Sequence, residues 1–396
     1  MNLADSEEMA SHLLGRGYAL TEKLEEADLV IVNTCTVRDH AEHRALSFLG
    51  RLRQWKREKP GRHIIFAGCA AQRLGEKLKK TFPYLDLVSG AREIAHFASL
   101  LDSCGLFPSA PGGSPDQRGI TGYVTIMRGC DFACTYCIVP SVRGPVHCLP
   151  SKEILANAAC KAQEGHPEIM LLGQTVNAWK EAGKTFADLL NEVSALPGVE
   201  RVRFVSPHPA FITPQFLEAV KNNPKIARHI HLPAQSGSSK VLKEMKRGYT
   251  REMLLEKIAA LKACGFAIST DLIVGFPTET EEDFSQTLTL VEQAGFSAAY
   301  CFKYSPRQGT PAAQMPLLSE KVLEERLDIL LNRVRGLAEA AYGAHIGRSA
   351  EILMESPNKG RTSDNFWAQT KKSYTIGSVV QSEVIDSDGT LLFTRD

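Results

Sequence analysis

Residues 123–137 read YVTIMRGCDFACTYC. Tyr123–Arg128 has the make-up of a short strand, and the cysteines at 130, 134 and 137 follow at once in the loop behind it. An apolar strand followed by a helix then recurs along the chain. Ile169–Gly173, Arg201–Ser206, His229–Pro233, Ile268–Gly275 and Ala298–Tyr304 are candidate strands, and helical stretches such as Lys152–Gln163, Arg251–Cys264 and Glu281–Ala294 separate them. Successive βα units in one domain predict a full or partial β/α barrel. Chemistry in such barrels sits at the C-terminal strand ends. Polar residues gather there: Cys130, Gln174 and Asn177, Ser206 and His208, Gln235 and Ser236, Asp271, then Tyr304 and Arg307.

Upstream, Asp28–Cys35, His63–Cys69 and Leu85–Gly90 are β-branched, apolar runs with helical patterns between them, for example Glu42–Arg57. Buried runs alternating with helices predict a parallel α/β layer. Cys35 and Cys69 both fall at the C-terminal ends of their strands, which share one edge in an open parallel sheet. These two thiols are therefore expected to be neighbours. Phe107–Gly119 is rich in Pro, Gly and Ser and reads as a linker. Downstream, a long helical pattern over Ser319–Tyr342 leads to short alternating segments at Ala350–Glu355, Gly377–Ile385 and Thr390–Thr394. These predict a small antiparallel barrel. The fold class is α/β: a parallel-sheet α/β domain over 1–105, a linker over 106–120, a partial β/α barrel over 121–343 and a small β-barrel over 344–396.

The composition is that of an ordinary globular protein, 43 % hydrophobic and 23 % charged with a formal net charge of +1. It excludes collagen-like, coiled-coil and largely disordered chains. No apolar run approaches the ~20 residues of a membrane helix. Asp5, Glu7, Glu8 and Arg16 interrupt the N-terminal segment, so no signal peptide is visible and a cytoplasmic location is expected.

Ten cysteines in a reducing compartment are not expected to pair as disulfides. Three of them crowd into Cys130–Cys137, which points to metal or redox chemistry. Three thiolates can hold three irons of a four-iron, four-sulfur cluster and leave the fourth iron open to chelate a small molecule. The alternative is a structural zinc site completed by His147 or Cys148. Taken alone, Cys35 and Cys69 are equally compatible with buried free thiols.

The CxxxCxxC spacing with an aromatic, Tyr136, before its third cysteine resembles the radical S-adenosylmethionine enzymes. Further segments resemble one family among them, the methylthiotransferases: NTCTVR (33–38), AGCAAQ (67–72), GCDFACTYCIVPSVRG (129–144), LLGQTVNAW (171–179), SPHP (206–209), HLPAQSGS (231–238), VLKEMKRGYT (241–250), TDLIVGFPTET (270–280) and YSPRQGTPAA (304–313). The likeness covers nearly the whole chain in the family's order, ending in a TRAM domain. SPHP, HLPAQSGS and GRTSDN (360–365) point to its MiaB-type branch, which acts on tRNA.

The resemblance implies transfer of a methylthio group to carbon 2 of the adenine in N6-isopentenyladenosine, beside the anticodon. That C–H bond is strong and non-acidic, so acid–base chemistry cannot open it and a radical is needed. It implies two four-iron, four-sulfur clusters and S-adenosylmethionine as cofactors. Cys130, Cys134 and Cys137 would hold the cleaving cluster, and Cys35 and Cys69 match two of the three family ligands of the second. The family's first cysteine lies in a GCQMN-like segment, of which only Met1-Asn2 remain. Either the start is assigned too late, the reading that the intact later motifs favour, or the second cluster has only two family ligands here; on the first reading the chain as given holds that cluster poorly and is expected to cleave the cofactor without transferring sulfur. Cys104 is a distant substitute.

Gln174, Ser206, Gln235, Asp271 and Arg307 are candidates to grip the amino acid and ribose parts of S-adenosylmethionine. Individually each is equally a satisfied barrel-mouth hydrogen bonder. Tyr136 is a candidate to pack on its adenine, or else packs in its own loop. Gly275, in Ile273-Val274-Gly275, would permit close backbone approach to the same adenine. Arg361, Thr362 and Asn365 match the family's RNA-contacting segment. Phe366 and Trp367 beside them either stack on an unpaired base or fill the small barrel. The run Arg51–Arg62 carries six basic residues against one acid and reads as a solvated helix face or a phosphate contact.

Expected partners are the tRNA anticodon stem-loop, an electron-donor protein and a sulfur donor, with no membrane and a monomeric state. The rival substrates within the family are threonylcarbamoyladenosine of tRNA and a ribosomal protein. A rival of another class is a catalytically silent RNA-binding protein with a structural metal.

Overall fold

In a computed structural model of the chain, which describes residues 1–37, 39–105 and 119–395, the run His63–Gly68 is a strand whose Ile64, Ile65, Phe66 and Ala67 are all fully buried. Side chains alternate across a strand, so a run buried on both faces must lie between two layers. It does. Ile64 and Phe66 pack with Leu49, Leu52 and Trp55 of the helix Asp39–Glu58. Ile65 and Ala67 pack with Met9 and Leu13 of the helix Asn2–Leu14 and with Phe97 and Leu101 of Phe97–Cys104. The sheet is parallel in the order β1 (Leu29–Thr34), β2 (His63–Gly68), β3 (Leu87–Gly90), with Thr34 opposite Gly68 and Gly68 opposite Gly90.

The described residues form two compact units. The first comprises this sheet with its helices, joined by Arg128–Asp131 and Cys137–Val146. The second comprises Phe132–Tyr136 together with the barrel strands and everything C-terminal to them.

In the second unit, β4 (Thr121–Thr125), β5 (Glu168–Leu172) and β6 (Arg201–Phe204) form one parallel sheet. A second parallel sheet holds β7 (His229–His231), β8 (Ala267–Val274) and β9 (Ala298–Lys303). Ile226 bridges onto Val202 between the two sheets. Six parallel strands in sequence order make the partial β/α barrel the pattern predicts. Helix starts between them are capped as their sequences ask, Thr213, Ser238, Thr250 and Thr280 each accepting a backbone N–H of the first turn.

The helix Glu320–Gly343 leads to a closed antiparallel barrel with one parallel pair. Its strands are β10 (Ser349–Ser356), β11 (Lys359–Thr362), β12 (Trp367–Gln369), β13 (Val379–Ser387) and β14 (Leu392–Arg395), in the order β10-β11-β12-β14-β13. Ile352, Met354, Phe366, Ala368, Val384 and Leu392 fill it. The expected linker over 106–120 lies, apart from Gly119 and Ile120, outside the described residues. Among the described residues no helix is long and apolar enough to cross a membrane.

Candidate active site

The cysteine loop leaves β4 through Gly129, whose φ is +76°. A Cβ there would sit 1.9 Å from the Pro145 carbonyl oxygen, so only glycine lets the two ends of the loop meet. Cys130 N–H donates to the Gly144 carbonyl at 3.1 Å, and Val146 N–H to Asp131 Oδ1 at 2.9 Å. The loop thus folds back on itself, with Cys130 and Cys137 half-buried.

Cys134 is buried, 8 % exposed. Its neighbour Thr135 fixes it. Thr135 N–H donates to the Met245 carbonyl (3.1 Å), its hydroxyl donates to that of Glu244 (2.9 Å), and its own carbonyl accepts from Ala312 (2.9 Å). Arg247 donates to Cys134 Sγ at 3.5 Å. Phe132 stacks on His208 with centroids 4.3 Å apart and planes at 19°. Burial, helped by the nearby Arg247 charge, pushes His208 down to about 3, so its ring is neutral. Asn177 exchanges two hydrogen bonds with the His208 backbone and holds it.

Among the described residues no three His, Cys, Asp or Glu side chains stand together as a single-ion site. A cluster interposes iron and sulfide between its thiolates and needs a wider set than one ion does. Three thiols on one eight-residue stretch of a folded-back loop, one beside a guanidinium, match that donor chemistry.

The strand-end residues fall as follows. Ser206 (φ +58°) and Gln235 (φ +68°) adopt the left-handed region, which non-glycine residues occupy only where their surroundings enforce it. Gln235 is clamped by its backbone, donating to the Asp271 carbonyl and accepting from Ile273, both at 2.8 Å. Among the described residues Gln174 Oε1 and the Tyr304 hydroxyl, both buried, have no hydrogen-bond partner, a state that invites a bound polar ligand. Asp271 Oδ2 lies 3.2 Å from His231 Nε2, a neighbour the sequence reading missed. The Arg307 carbonyl accepts from Thr310 N–H and hydroxyl, closing the turn after β9. Tyr136 packs against the cluster of Val241, Met245, Phe276, Tyr304 and Ala312. At Gly275 (φ +75°) a Cβ would meet Leu323 Cγ at 2.6 Å, so the glycine also admits the helix Glu320–Gly343.

In the first unit, Cys35 and Cys69 directly follow the paired residues Thr34 and Gly68, as the strand-end argument requires. Burial pushes the Cys69 thiol up, against the Arg143 guanidinium hydrogen-bonded to it. Asp5, fully buried, holds Arg143 at 2.7 Å and Arg128 at 2.9 Å. Cys104 packs instead on the apolar face with Phe97 and Leu101. Half of the basic run is committed within the fold. Arg62 donates to the Trp55 and Glu25 carbonyls, Lys56 pairs with Asp86, and Lys59 with Asp28.

On the small barrel, Arg361 lies over the Trp367 ring at 4.1 Å and Lys359 at 4.6 Å. Asn365 (φ +76°) accepts from Arg361 at 3.2 Å. Thr362 is a correction to the expected RNA-contacting set. It is 2 % exposed, and its hydroxyl donates to Asp364 and accepts from Phe366 N–H, so it shapes the turn from inside. Phe366 is likewise core, edge-on to Tyr342 at 4.7 Å, which leaves Trp367 as the outward aromatic.

Residues 124–291 match the Radical SAM superfamily, and residues 1–90 match the uncharacterized protein family UPF0004. A solved radical S-adenosylmethionine methyltransferase, TsrM, from Kitasatospora setae shares the fold at a TM-score of 0.55 and 14 % identity, covering 78 % of this chain and 69 % of that one. Barrel, loop and match together make this a radical SAM protein. The chain is 41 % identical to a tRNA-2-methylthio-N(6)-dimethylallyladenosine synthase of Geobacter metallireducens, over 92 % of this chain and 89 % of that protein. It is 38 % identical to one of Aquifex aeolicus, over 98 % and 94 %. The chain belongs to the family of these synthases.

Proposed function

We propose that this chain transfers a methylthio group to carbon 2 of N6-isopentenyladenosine in tRNA, next to the anticodon. The observation that carries this is the thiol trio on the folded-back loop behind the first barrel strand, in a chain whose relatives are named for that product. A four-iron, four-sulfur cluster with one open iron supplies, when bound, the electron that splits S-adenosylmethionine and yields the radical this C–H bond demands.

Cys130, Cys134 and Cys137 hold that cluster. Gln174, Ser206, Gln235, Asp271 and Arg307 bind the polar parts of S-adenosylmethionine, the unpaired Gln174 oxygen and the left-handed turns at Ser206 and Gln235 being the features that support this. Tyr136 and the Gly275 segment flank its adenine. Cys35 and Cys69 serve the second cluster, with Arg143 beside Cys69. Arg361, Asn365 and Trp367 contact the RNA. Residues 1–105, 121–343 and 344–396 divide these tasks. An electron-donor protein reduces the clusters and a sulfur donor replenishes the transferred atom. The protein acts as a monomer in the cytoplasm.

The test is anaerobic reconstitution with iron and sulfide, then incubation with reductant, S-adenosylmethionine and tRNA bearing isopentenyladenosine. Mass spectrometry of the digested nucleosides should find the methylthio derivative, a result that would set aside the expectation of a second cluster too incomplete to give up its sulfur. Modification only of threonylcarbamoyladenosine, or only of a ribosomal protein, would contradict the proposal.

A further inference from the structure

Arg247 is a nearly buried cation, 8 % exposed, and the described residues give it no carboxylate partner. Burying a guanidinium is costly even when, as here, a hydroxyl, a carbonyl and the Tyr249 ring at 5.3 Å face it, and a nearby anion offsets that cost. Among the described residues the ionisable groups beside it are the Tyr136 and Tyr249 hydroxyls and the Cys134 sulfur, 3.5 Å from Nη1, and of these the sulfur is the one that ligating iron would make anionic.

The guanidinium is held in place from its other sides. Nε donates to the Tyr249 hydroxyl at 3.0 Å and Nη2 to the Pro233 carbonyl at 3.3 Å. Tyr249, itself 5 % exposed, lies within donor reach of the Pro233 and Ala234 carbonyls at 3.0 and 3.2 Å, which fixes the hydroxyl as an acceptor toward Arg247. The backbone is bent to deliver the side chain. Lys246 before it has φ +55° and Gly248 after it φ +76°. A non-glycine residue in that region persists only where its surroundings enforce it. The Thr135 bonds to Glu244 and Met245 tie the same segment to the cysteine loop at further points, so the distance between Arg247 and Cys134 is fixed.

We propose that Arg247 is a positioning residue that acts as the built-in counter-charge of the cysteine loop. It donates to Cys134 Sγ, offsets the thiolate that ligates iron, and makes the cluster held there easier to reduce. Hydrogen bonds to cluster sulfurs and net charge are among the quantities that set such potentials. This inference rests on the proposed reading of the loop as the radical SAM cluster site.

The experiment uses the full chain with Cys35→Ala and Cys69→Ala, so that the loop alone carries a cluster. The chain is reconstituted without S-adenosylmethionine and titrated under electron paramagnetic resonance. At the poise that half-reduces this parent, Arg247→Gln should lower the ratio of reduced to oxidised cluster about tenfold, which for one electron is about 59 mV. Arg247→Lys should fall between, since a point charge without the fork satisfies one contact only. Tyr249→Phe should shift in the same direction with full iron content. Iron loss in Arg247→Gln but not in Arg247→Lys, with parental circular dichroism in both, also supports the inference.

Equal iron loss in both, or full iron with a ratio within about twofold of the parent, overturns it. So does weakened S-adenosylmethionine binding at an unchanged potential. If Arg247→Gln does not fold, Tyr249→Phe decides, and no shift there overturns the proposal. A parent that forms no cluster would overturn the underlying reading itself, a failure visible before any variant is compared.

Discussion

Arg203 of β6 and Glu168, the first residue of β5, meet Nε to Oε2 at 2.6 Å, each side chain 7 % exposed. The other arm of Arg203 donates to the Thr362 carbonyl of the small barrel at 3.1 Å, and Arg201 donates to the Arg361 carbonyl at 3.1 Å. A buried carboxylate at the foot of the β/α barrel thus aims two arginines at the GRTSDN turn. Glu168→Ala leaves Arg203 buried without its anion, while Arg201 keeps Glu351 at 3.4 Å, and should cost about 3–5 kcal/mol. Glu168→Gln keeps an acceptor and should cost less. Urea denaturation midpoints compare the two.

Gly275→Ala places a methyl against Leu323 in a backbone conformation alanine avoids. The expected loss is about 2–3 kcal/mol by thermal or urea unfolding. Leu323→Ala added to it should recover only the steric part, because the positive φ remains.

His345 and Asp364 form a pair at 2.7 Å that joins the end of the helix Glu320–Gly343 to the GRTSDN turn. Burial pulls the His345 imidazole down and Arg348 adds to that. The Asp364 bond and charge, with the Ala341 carbonyl, outweigh both and leave it above its ordinary 6.5. Burial pushes Asp364 up, but His345 and Thr362 hold it below its ordinary 3.8. The folded imidazole binds its proton more tightly than the unfolded one. The histidine's contribution is therefore whole below pH 6.5 and is lost as the pH rises through the raised value. The carboxylate's contribution is whole above pH 3.8 and is lost as the pH falls through the lowered value. The pair should stabilise most between those limits. Asp364→Asn should remove about 1–2 kcal/mol there and flatten the loss at higher pH. Denaturation midpoints measured below pH 6.5 and well above it check this.

Trp367→Ala should weaken tRNA binding by about 1–3 kcal/mol with the fold intact. Arg361→Ala should lower the slope of log affinity against log salt by about 1. Phe366→Ala should instead destabilise the small barrel by about 3–5 kcal/mol, because that ring is core. Filter binding across a salt series, beside melting curves, separates the three.

The barrel strands were legible because apolar runs alternating with amphipathic helices leave few other folds, and the cysteine loop because its spacing is rare. The strands Lys359–Thr362 and Trp367–Gln369 were not. Each is too short and too polar to show a period of two, and closure of the barrel makes them strands. Nothing in the sequence marks Arg201, Arg203 and Arg247 as buried cations, since their partners Glu168, Thr362 and Cys134 lie far away along the chain. The left-handed turns at Ser206 and Gln235 carry no local signal, because the residue types that mark such turns are Gly, Asn and Asp.

The central claim is that the trio Cys130, Cys134 and Cys137 equips the barrel to cleave S-adenosylmethionine. The most direct measurement is 5′-deoxyadenosine released per chain by the reduced, reconstituted protein, beside Cys→Ser variants at each of the three positions. The account predicts steady release by the parent, and release at background with reduced iron content in every variant. Undiminished release and iron content in any one of them would contradict it.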